Sequence, residues 1–106
     1  MINKACPDEY KYVGDGLVIL GGLCPDFINI NGKKKVIEGY GNYWHGVEVA
    51  QTWNRTELGR IMTYNSIGFD CLIIWQSEIV DTSEEELISR IIKFNKEIAS
   101  VINNLN

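Results

Sequence analysis

The sequence lacks the features that would place it in a membrane, outside a cell or in a disulfide-linked fold. No apolar run approaches the ~20 residues that a membrane-spanning helix needs, and Met1–Tyr10 has no basic segment followed by an apolar one, as a secretory signal would. Cys6, Cys24 and Cys71 are an odd number without paired spacing, which indicates reduced thiols rather than disulfides or a zinc site. We therefore expect an intracellular, cytoplasmic protein without a membrane partner.

The chain also lacks an excess of basic residues. It has 10 Lys and Arg against 14 Asp and Glu, a net charge of −4, whereas nucleic-acid-binding proteins are usually basic. This balance argues against nucleic acid as a partner without excluding it, because acidic metal ligands and an acidic helix can lower the total while one face stays basic. Repeats, low-complexity tracts and linkers are absent too, so a single domain over residues 1–106 is predicted.

Short β-prone runs and turn signals fill the first part of the chain. Gly14–Gly16 and Asn31-Gly32 are strong turn signals, and each lies between two such runs. We therefore predict two hairpins with these strands: Tyr10–Val13, Leu17–Leu20, Asp26–Ile30 and Lys34–Tyr40.

The second part of the chain alternates between helical and strand patterns. Asn54 with Glu57 is a capping-box pattern that opens a helix with Leu58, Ile61, Met62 and Asn65 on one face and a stop at Gly68. Cys71–Trp75 is continuously apolar, which predicts a buried strand. A second capping box, Ser83 with Glu86, opens a long final helix with an apolar face of Leu87, Ile91, Phe94, Ile98, Val101, Ile102 and Leu105.

The predicted element order is β-β-β-β-α-β-α. Strands from the hairpin-rich half must share a sheet with Cys71–Trp75, and the two helices must cover it. The predicted fold class is therefore a mixed α/β (α+β) sheet flanked by helices.

Register decides whether two acidic residues of the second hairpin can act together. A two-residue loop would send Asp26 and Glu38 to opposite faces of the sheet, whereas a three-residue loop, Asn31–Lys33, would place them directly opposite each other. We expect the three-residue loop because it pairs apolar residues with apolar residues, namely Phe27 with Ile37 and Ile28 with Val36.

Two opposed carboxylates ~5 Å apart would repel each other unless a cation bound between them. Their oxygen atoms suit Mg²⁺, with Mn²⁺ as the alternative. His45, the one histidine of the chain, follows Gly39 and Gly41, and these glycines let the backbone bend back toward the acids. Its imidazole exchanges a proton near neutral pH, so it is a candidate base for a water beside the metal.

Several segments of the chain carry a family resemblance. They are PDFINI (Pro25–Ile30), KKVIEGYGNYWHG (Lys34–Gly46) and GFDCLIIWQSEI (Gly68–Ile79), together with the lead-in YKYVGDG (Tyr10–Gly16). These segments resemble the very-short-patch-repair-type endonucleases, which include a group of homing endonucleases, within the PD-(D/E)xK restriction-endonuclease-like superfamily. The resemblance implies a restriction-endonuclease-like fold and a Mg²⁺-dependent endodeoxyribonuclease, of the kind that serves DNA repair or homing.

The resemblance also implies roles for individual residues. Asp26 matches the metal-binding aspartate of the family, Glu38 lies at the second ligand position, and His45 matches the histidine that activates water. Glu57 lies on a helix where members carry an acidic residue, and Glu57 or Asn42 would orient the water or the histidine.

The chain departs from the family pattern at three points. Asn42 stands where many relatives have Asp, and an amide cannot carry a negative charge or act as a base, so impaired activity is one expectation. The lysine of the usual ExK triplet is absent, because Gly39 and Tyr40 follow Glu38, and His45 would take its role. Relatives usually carry a helix before the first strand, and we expect it to be missing here.

Six side chains are candidate DNA contacts: Lys33, Lys34, Lys35, Trp44, Arg55 and Arg60. Each has an ordinary alternative, since short charge runs are usually solvated and Trp44 can pack in a core. Asp26 after a proline can likewise be a turn residue, and His45 a packing residue.

The predicted function is hydrolysis of DNA phosphodiester bonds with a divalent metal and a histidine-activated water. The alternative is a catalytically silent nuclease-fold module that binds DNA or a protein partner. The sequence leaves open which DNA is recognised and whether two copies pair as a homodimer, which would turn a nick into a double-strand break.

Overall fold

The computed structural model describes residues 1–41, 53 and 56–97, and within them a four-stranded mixed sheet is flanked by helices. The predicted mixed α/β class is confirmed, and the arrangement is compatible with an α+β nuclease-like fold. In chain order the elements are α1 (Ile2–Ala5), β1 (Tyr10–Tyr12), β2 (Phe27–Asn29), β3 (Lys35–Tyr40), α2 (Glu57–Ser66), β4 (Asp70–Trp75), α3 (Gln76–Asp81) and α4 (Glu84–Lys96).

The strands lie in the order β1-β2-β3-β4. β1 pairs antiparallel with β2, β2 pairs antiparallel with β3, and β3 pairs parallel with β4. A parallel pair needs a crossover connection, and the segment that contains α2 lies between β3 and β4 along the chain. No helix in this described part is both long and apolar enough to cross a bilayer.

Each face of the sheet has its own apolar core, because successive side chains of a strand point to opposite faces. On one face Ile37 packs with residues of β4 and α4 and with Cys6, which follows α1; this cluster contains Cys6, Ile37, Ile74, Leu87 and Ile91. On the other face Val36 packs with Leu23 and with Tyr64 of α2. The sheet is therefore covered by α1 and α4 on one side and by α2 on the other.

A buried polar network ties the β2–β3 hairpin to α4. Asn29 Oδ1 accepts hydrogen bonds from the backbone N–H groups of Asn31 (2.8 Å) and Lys33 (3.1 Å), and Asn29 Nδ2 donates to Asn95 Oδ1 at 3.3 Å. The Tyr10 hydroxyl donates to the same Asn95 oxygen at 2.8 Å. These bonds fix the hairpin loop and its position on the helix at once.

The predicted strand at Leu17–Leu20 is wrong. Leu20 instead forms an isolated bridge with Leu23, in which each backbone N–H donates to the other carbonyl at 2.8 and 2.9 Å. Gly21 and Gly22 between them have φ values of 59° and 82°, the left-handed region that a tight two-residue turn requires. The chain thus folds back within the loop, and β1 finds its partner in β2.

Helix α2 forms where the sequence predicts a helix, but it buries a different face. Leu58 and Met62 are 59% and 51% exposed, whereas Gly59 and Tyr64 are buried. Thr56 caps the helix, since its hydroxyl accepts from the Gly59 N–H at 3.0 Å; the predicted cap, Asn54, lies outside the described residues. Polar contacts of α2 with β3, rather than the apolar spacing, therefore determine how the helix is rotated.

The cap and apolar face of the final helix are confirmed as far as the structure describes them. The Ser83 hydroxyl accepts from the Glu86 N–H at 3.2 Å, and Leu87 and Ile91 are buried. The later residues of the predicted face, from Ile98 onward, lie outside the described residues. The sequence did not predict α3 or the single turn of α1.

Candidate functional site

The two acidic residues of the second hairpin share one face of the sheet. Phe27 pairs with Ile37 and Ile28 with Val36, which confirms the register of the three-residue loop. One step further along the ladder, Asp26 lies opposite Glu38. Because side chains alternate, both acids point to the face that α2 covers, in line with Ile28 and Val36.

Glu38 is a buried carboxylate with a charged and an uncharged donor. Its residue is 3% exposed, and its Oε2 accepts from Arg60 Nη1 at 2.5 Å and from the Tyr64 hydroxyl at 3.3 Å. Burial raises the pKa of the Glu38 carboxyl above its ordinary value; the Arg60 cation opposes that rise, and the negative charge of Asp26 adds to it. The charge of Asp26 is therefore close enough to act on Glu38.

Asp26 is anchored by backbone groups in the described part of the chain. Its Oδ2 accepts from the Gly39 N–H at 2.8 Å, and its carbonyl oxygen accepts from the Val13 N–H at 2.7 Å. The side chain is partly exposed, so of the two acids Asp26 is the one that solvent or a ligand reaches more easily.

Glu57 begins α2 and lies at the ends of β3 and β4. Its Oε1 accepts from the Trp75 indole N–H at 3.1 Å, and the Trp75 ring meets the Tyr40 ring edge-on at 5.2 Å between centroids. The indole thus orients an exposed carboxylate near the site.

Burial raises the pKa of the Cys71 thiol above its ordinary value; the negative charge of Glu38 adds to the rise, and the Arg60 cation opposes it. The environment of Cys71 therefore disfavours the reactive thiolate.

Two carboxylates are the donor set that the described residues offer to a metal. No group of three or more His, Cys, Asp and Glu lies together within residues 1–41, 53 and 56–97. Mg²⁺ is commonly held by one or two carboxylates, and waters and substrate phosphates fill its other positions. In the contacts of this part of the chain, the hydrogen bonds to Asp26 and Glu38 fall on Oδ2 and Oε2. The residues present therefore fit an oxygen-ligated divalent ion.

The structure separates the lysines of the hairpin tip from the acids. Lys33 and Lys34 lie at the far end of the hairpin, ~13–16 Å from Glu38 along the strand at ~3.3 Å per residue. Lys33 Nζ lies 2.9 Å from Glu9 Oε1, and Lys34 is exposed.

Lys35 and Arg60 are engaged inside the protein. Lys35 is 3% exposed, with its Nζ 3.3 Å from Asp70 Oδ2 and 4.6 Å from the centroid of the Phe94 ring. The Arg60 side chain is 15% exposed and paired with Glu38. The structure does not support a phosphate contact for Lys35, because its ammonium would have to leave a buried ion pair.

Four of the predicted site residues lie outside the described part of the chain: Asn42, Trp44, His45 and Arg55. Conversely, sequence reasoning missed Tyr64 and the pairing of Arg60 with Glu38. A signal was present, since Arg60 and Tyr64 are four residues apart and so share one face of a helix.

No protein-family model, curated protein or solved structure matches this chain. Function is therefore inferred from the sequence motifs and from the geometry around Asp26 and Glu38.

Proposed function

We propose that this protein is a divalent-metal-dependent DNA endonuclease with Asp26 and Glu38 as its metal ligands. The observation that carries the proposal is their placement directly opposite each other, on one face of the sheet, with the partly exposed acid next to the buried one. The resemblance of the surrounding motifs to the very-short-patch-repair-type endonucleases supports the same reaction.

The chain's own residues supply positioning and proton transfer. Asp26 and Glu38 would hold a Mg²⁺ ion, which when bound would supply a Lewis acid for a phosphoryl oxygen and offset the charge that builds up on the phosphate. The Gly39 N–H fixes Asp26, and Arg60 and Tyr64 fix Glu38. His45 takes the proton from the water that attacks phosphorus. The bond from phosphorus to the 3′ oxygen breaks, and that oxygen takes a proton from solvent.

Further residues orient the reactants and hold the DNA. Glu57, held by the Trp75 indole, and Asn42 orient the water or His45. Four side chains contact phosphates or bases: Lys33, Lys34, Trp44 and Arg55. We leave Lys35 and Arg60 out of this set because both are paired with carboxylates inside the protein.

The test is cleavage of supercoiled plasmid in Mg²⁺ and then in Mn²⁺. We expect Asp26→Asn, Glu38→Gln and His45→Ala to lower the rate by about 10²-fold or more, the usual loss for a positioned acid–base group. Glu85→Gln, a change at an exposed position of α4, is the matched control and should cleave like the wild type. Full activity in Asp26→Asn and His45→Ala would overturn the proposal.

A catalytically silent module that binds DNA or a protein is the second candidate. Two observations favour it: Asn42 replaces the Asp of many relatives, and the Arg60 cation neutralises Glu38. Asn42→Asp distinguishes the two. Cleavage in this variant but not in the wild type would indicate an enzyme impaired by a single substitution. Salt-dependent DNA binding without cleavage in either would support the module.

A further inference from the structure

The candidate metal site contains a positively charged side chain, the guanidinium of Arg60. Arg60 Nη1 lies 2.5 Å from Glu38 Oε2, and the two side chains are 15% and 4% exposed. At this distance and burial the two charges interact much more strongly than an ion pair in water would. The guanidinium therefore holds one of the four carboxylate oxygens that a metal could use.

The contact between Arg60 and Glu38 reduces the negative charge that a divalent ion would meet at this site. Asp26 and Glu38 together carry two negative charges, and Arg60 returns one positive charge. Counted over these three described residues, the net charge at the pair is −1 instead of −2, and Arg60 repels an approaching metal ion. Because Oε2 is occupied, the metal is also restricted to a monodentate contact with Glu38 unless the guanidinium moves away.

We infer that Arg60 is an affinity-determining residue of the site, whose guanidinium competes with a divalent cation for Glu38 and weakens its binding. This inference rests on the proposed function, because it takes Asp26 and Glu38 as the ligands. A purely structural arginine behaves differently, since its removal would leave the affinity for metal unchanged or lower it by disordering Glu38.

The test measures binding of Mn²⁺ alone to the full chain, without DNA, by isothermal titration calorimetry. Arg60→Gln keeps an amide that can donate to Glu38 but removes the charge, and we expect it to bind Mn²⁺ about tenfold more tightly, which corresponds to about 1.4 kcal/mol. Arg60→Lys keeps the charge and should bind like the wild type. Arg90→Gln removes the charge from a different Arg–Glu pair, with Glu78, and should also bind like the wild type.

Equal or weaker Mn²⁺ binding by a folded Arg60→Gln would overturn the inference. Should that variant be too unstable for calorimetry, the shift of its unfolding midpoint with Mn²⁺ replaces the binding constant. The inferred competition requires a larger upward shift than in the wild type, and an equal or smaller shift contradicts it.

Asp26→Asn separates a failure of the inference from a failure of the proposed function. If the wild type binds Mn²⁺, Asp26→Asn does not, and Arg60→Gln gains nothing, then the metal site stands and the role of Arg60 is wrong. If neither the wild type nor Arg60→Gln binds Mn²⁺ at millimolar concentration, both are wrong.

Discussion

At the scale of single residues, Tyr64 is the uncharged donor to the buried carboxylate of Glu38. Tyr64→Phe keeps the ring in the core but removes the hydroxyl, so Glu38 loses one of the two hydrogen bonds that the described residues donate to it. We expect a loss of about 1.5–3 kcal/mol in the free energy of unfolding, the usual contribution of a hydrogen bond to a charged group. Urea denaturation measures it. Tyr12→Phe, at a 59% exposed position, is the control and should change stability by less than about 0.5 kcal/mol.

The buried pair of Lys35 and Asp70 gives a second prediction at this scale. Lys35→Met keeps most of the side-chain volume but leaves the Asp70 carboxylate without its ammonium, and we expect a loss of about 3 kcal/mol. Lys4→Met breaks the pair with Glu84, whose side chains are 67% and 54% exposed, and should cost less than about 1 kcal/mol. Equal effects of the two changes in urea denaturation would contradict the assignment of Lys35 to the core.

At the scale of residues, the sequence correctly predicted the strand register, because pairing of apolar residues determines it. The register that aligns Asp26 with Glu38 followed from matching Phe27 and Ile28 with Ile37 and Val36. The buried ion pairs of Lys35 and Arg60 could not be predicted in this way. The sequence does not show whether a basic side chain is solvated or paired with a buried carboxylate. Only the three-dimensional structure brings Asp70 and Glu38 to them.

At the scale of elements, helix α2 (Glu57–Ser66) contains a glycine that it cannot exchange for alanine. A Cβ at Gly59 would overlap the Trp53 carbonyl oxygen and would lie 2.8 Å from Thr56 Oγ1. Alanine normally stabilises a helix interior by up to about 1 kcal/mol relative to glycine, but here we expect Gly59→Ala to destabilise the protein by about 1–3 kcal/mol, the usual cost of overpacking.

Thermal or urea unfolding of Gly59→Ala tests this prediction. Ser66→Ala, at the exposed end of the same helix, is the control and should be neutral or slightly stabilising, as helix propensity suggests. Stabilisation by Gly59→Ala would show that the start of α2 does not approach Trp53 as closely as described.

The rotation of α2 also shows where element-scale prediction stops. Its position and length followed from sequence, but the apolar spacing of Leu58 and Met62 pointed to the wrong face. Arg60 and Tyr64 face the sheet because Glu38 needs donors once it is buried. Hydrophobic periodicity carries no information about such a polar contact.

At the scale of the whole molecule, two carboxyl groups with opposite pKa shifts give stability an optimum in pH. The pKa of Glu9 is lowered to about 2 from 4.5 by hydrogen bonds from Lys33 and Asn95, so its contribution is complete above pH 4.5 and is lost as the pH falls toward 2. The pKa of Glu38 is raised by burial, so folding favours its protonated form and stability increases as the pH falls from neutral to 4.5. Stability should therefore be greatest near pH 4.5.

Urea denaturation between pH 2.5 and 8, with EDTA present, measures this profile. Glu9→Gln should flatten the acid side, and Glu38→Gln should flatten the neutral side. A profile that rises steadily to pH 8 in the wild type would contradict the raised pKa of Glu38.

The mixed sheet could be predicted from the sequence because turn signals and apolar runs mark most of its strands. The Asn31-Gly32 turn and the apolar Cys71–Trp75 run led to the mixed sheet that is observed. The Leu17–Leu20 strand failed because Gly21 and Gly22 fold the chain back before a second ladder can form.

Asn29 makes the alignment of Asp26 with Glu38 sensitive to changes far from these two acids. The side chain of Asn29 clasps the hairpin loop and binds Asn95 of α4, a helix on the opposite side of the sheet from Glu38. Loss of that clasp removes one constraint on the register of β2 against β3. A slip of one residue would turn Asp26 and Glu38 to opposite faces of the sheet and would also break the apolar pairing of Phe27 with Ile37. A substitution of Asn95 could thus misalign the proposed metal ligands Asp26 and Glu38 while both residues are still present in the chain.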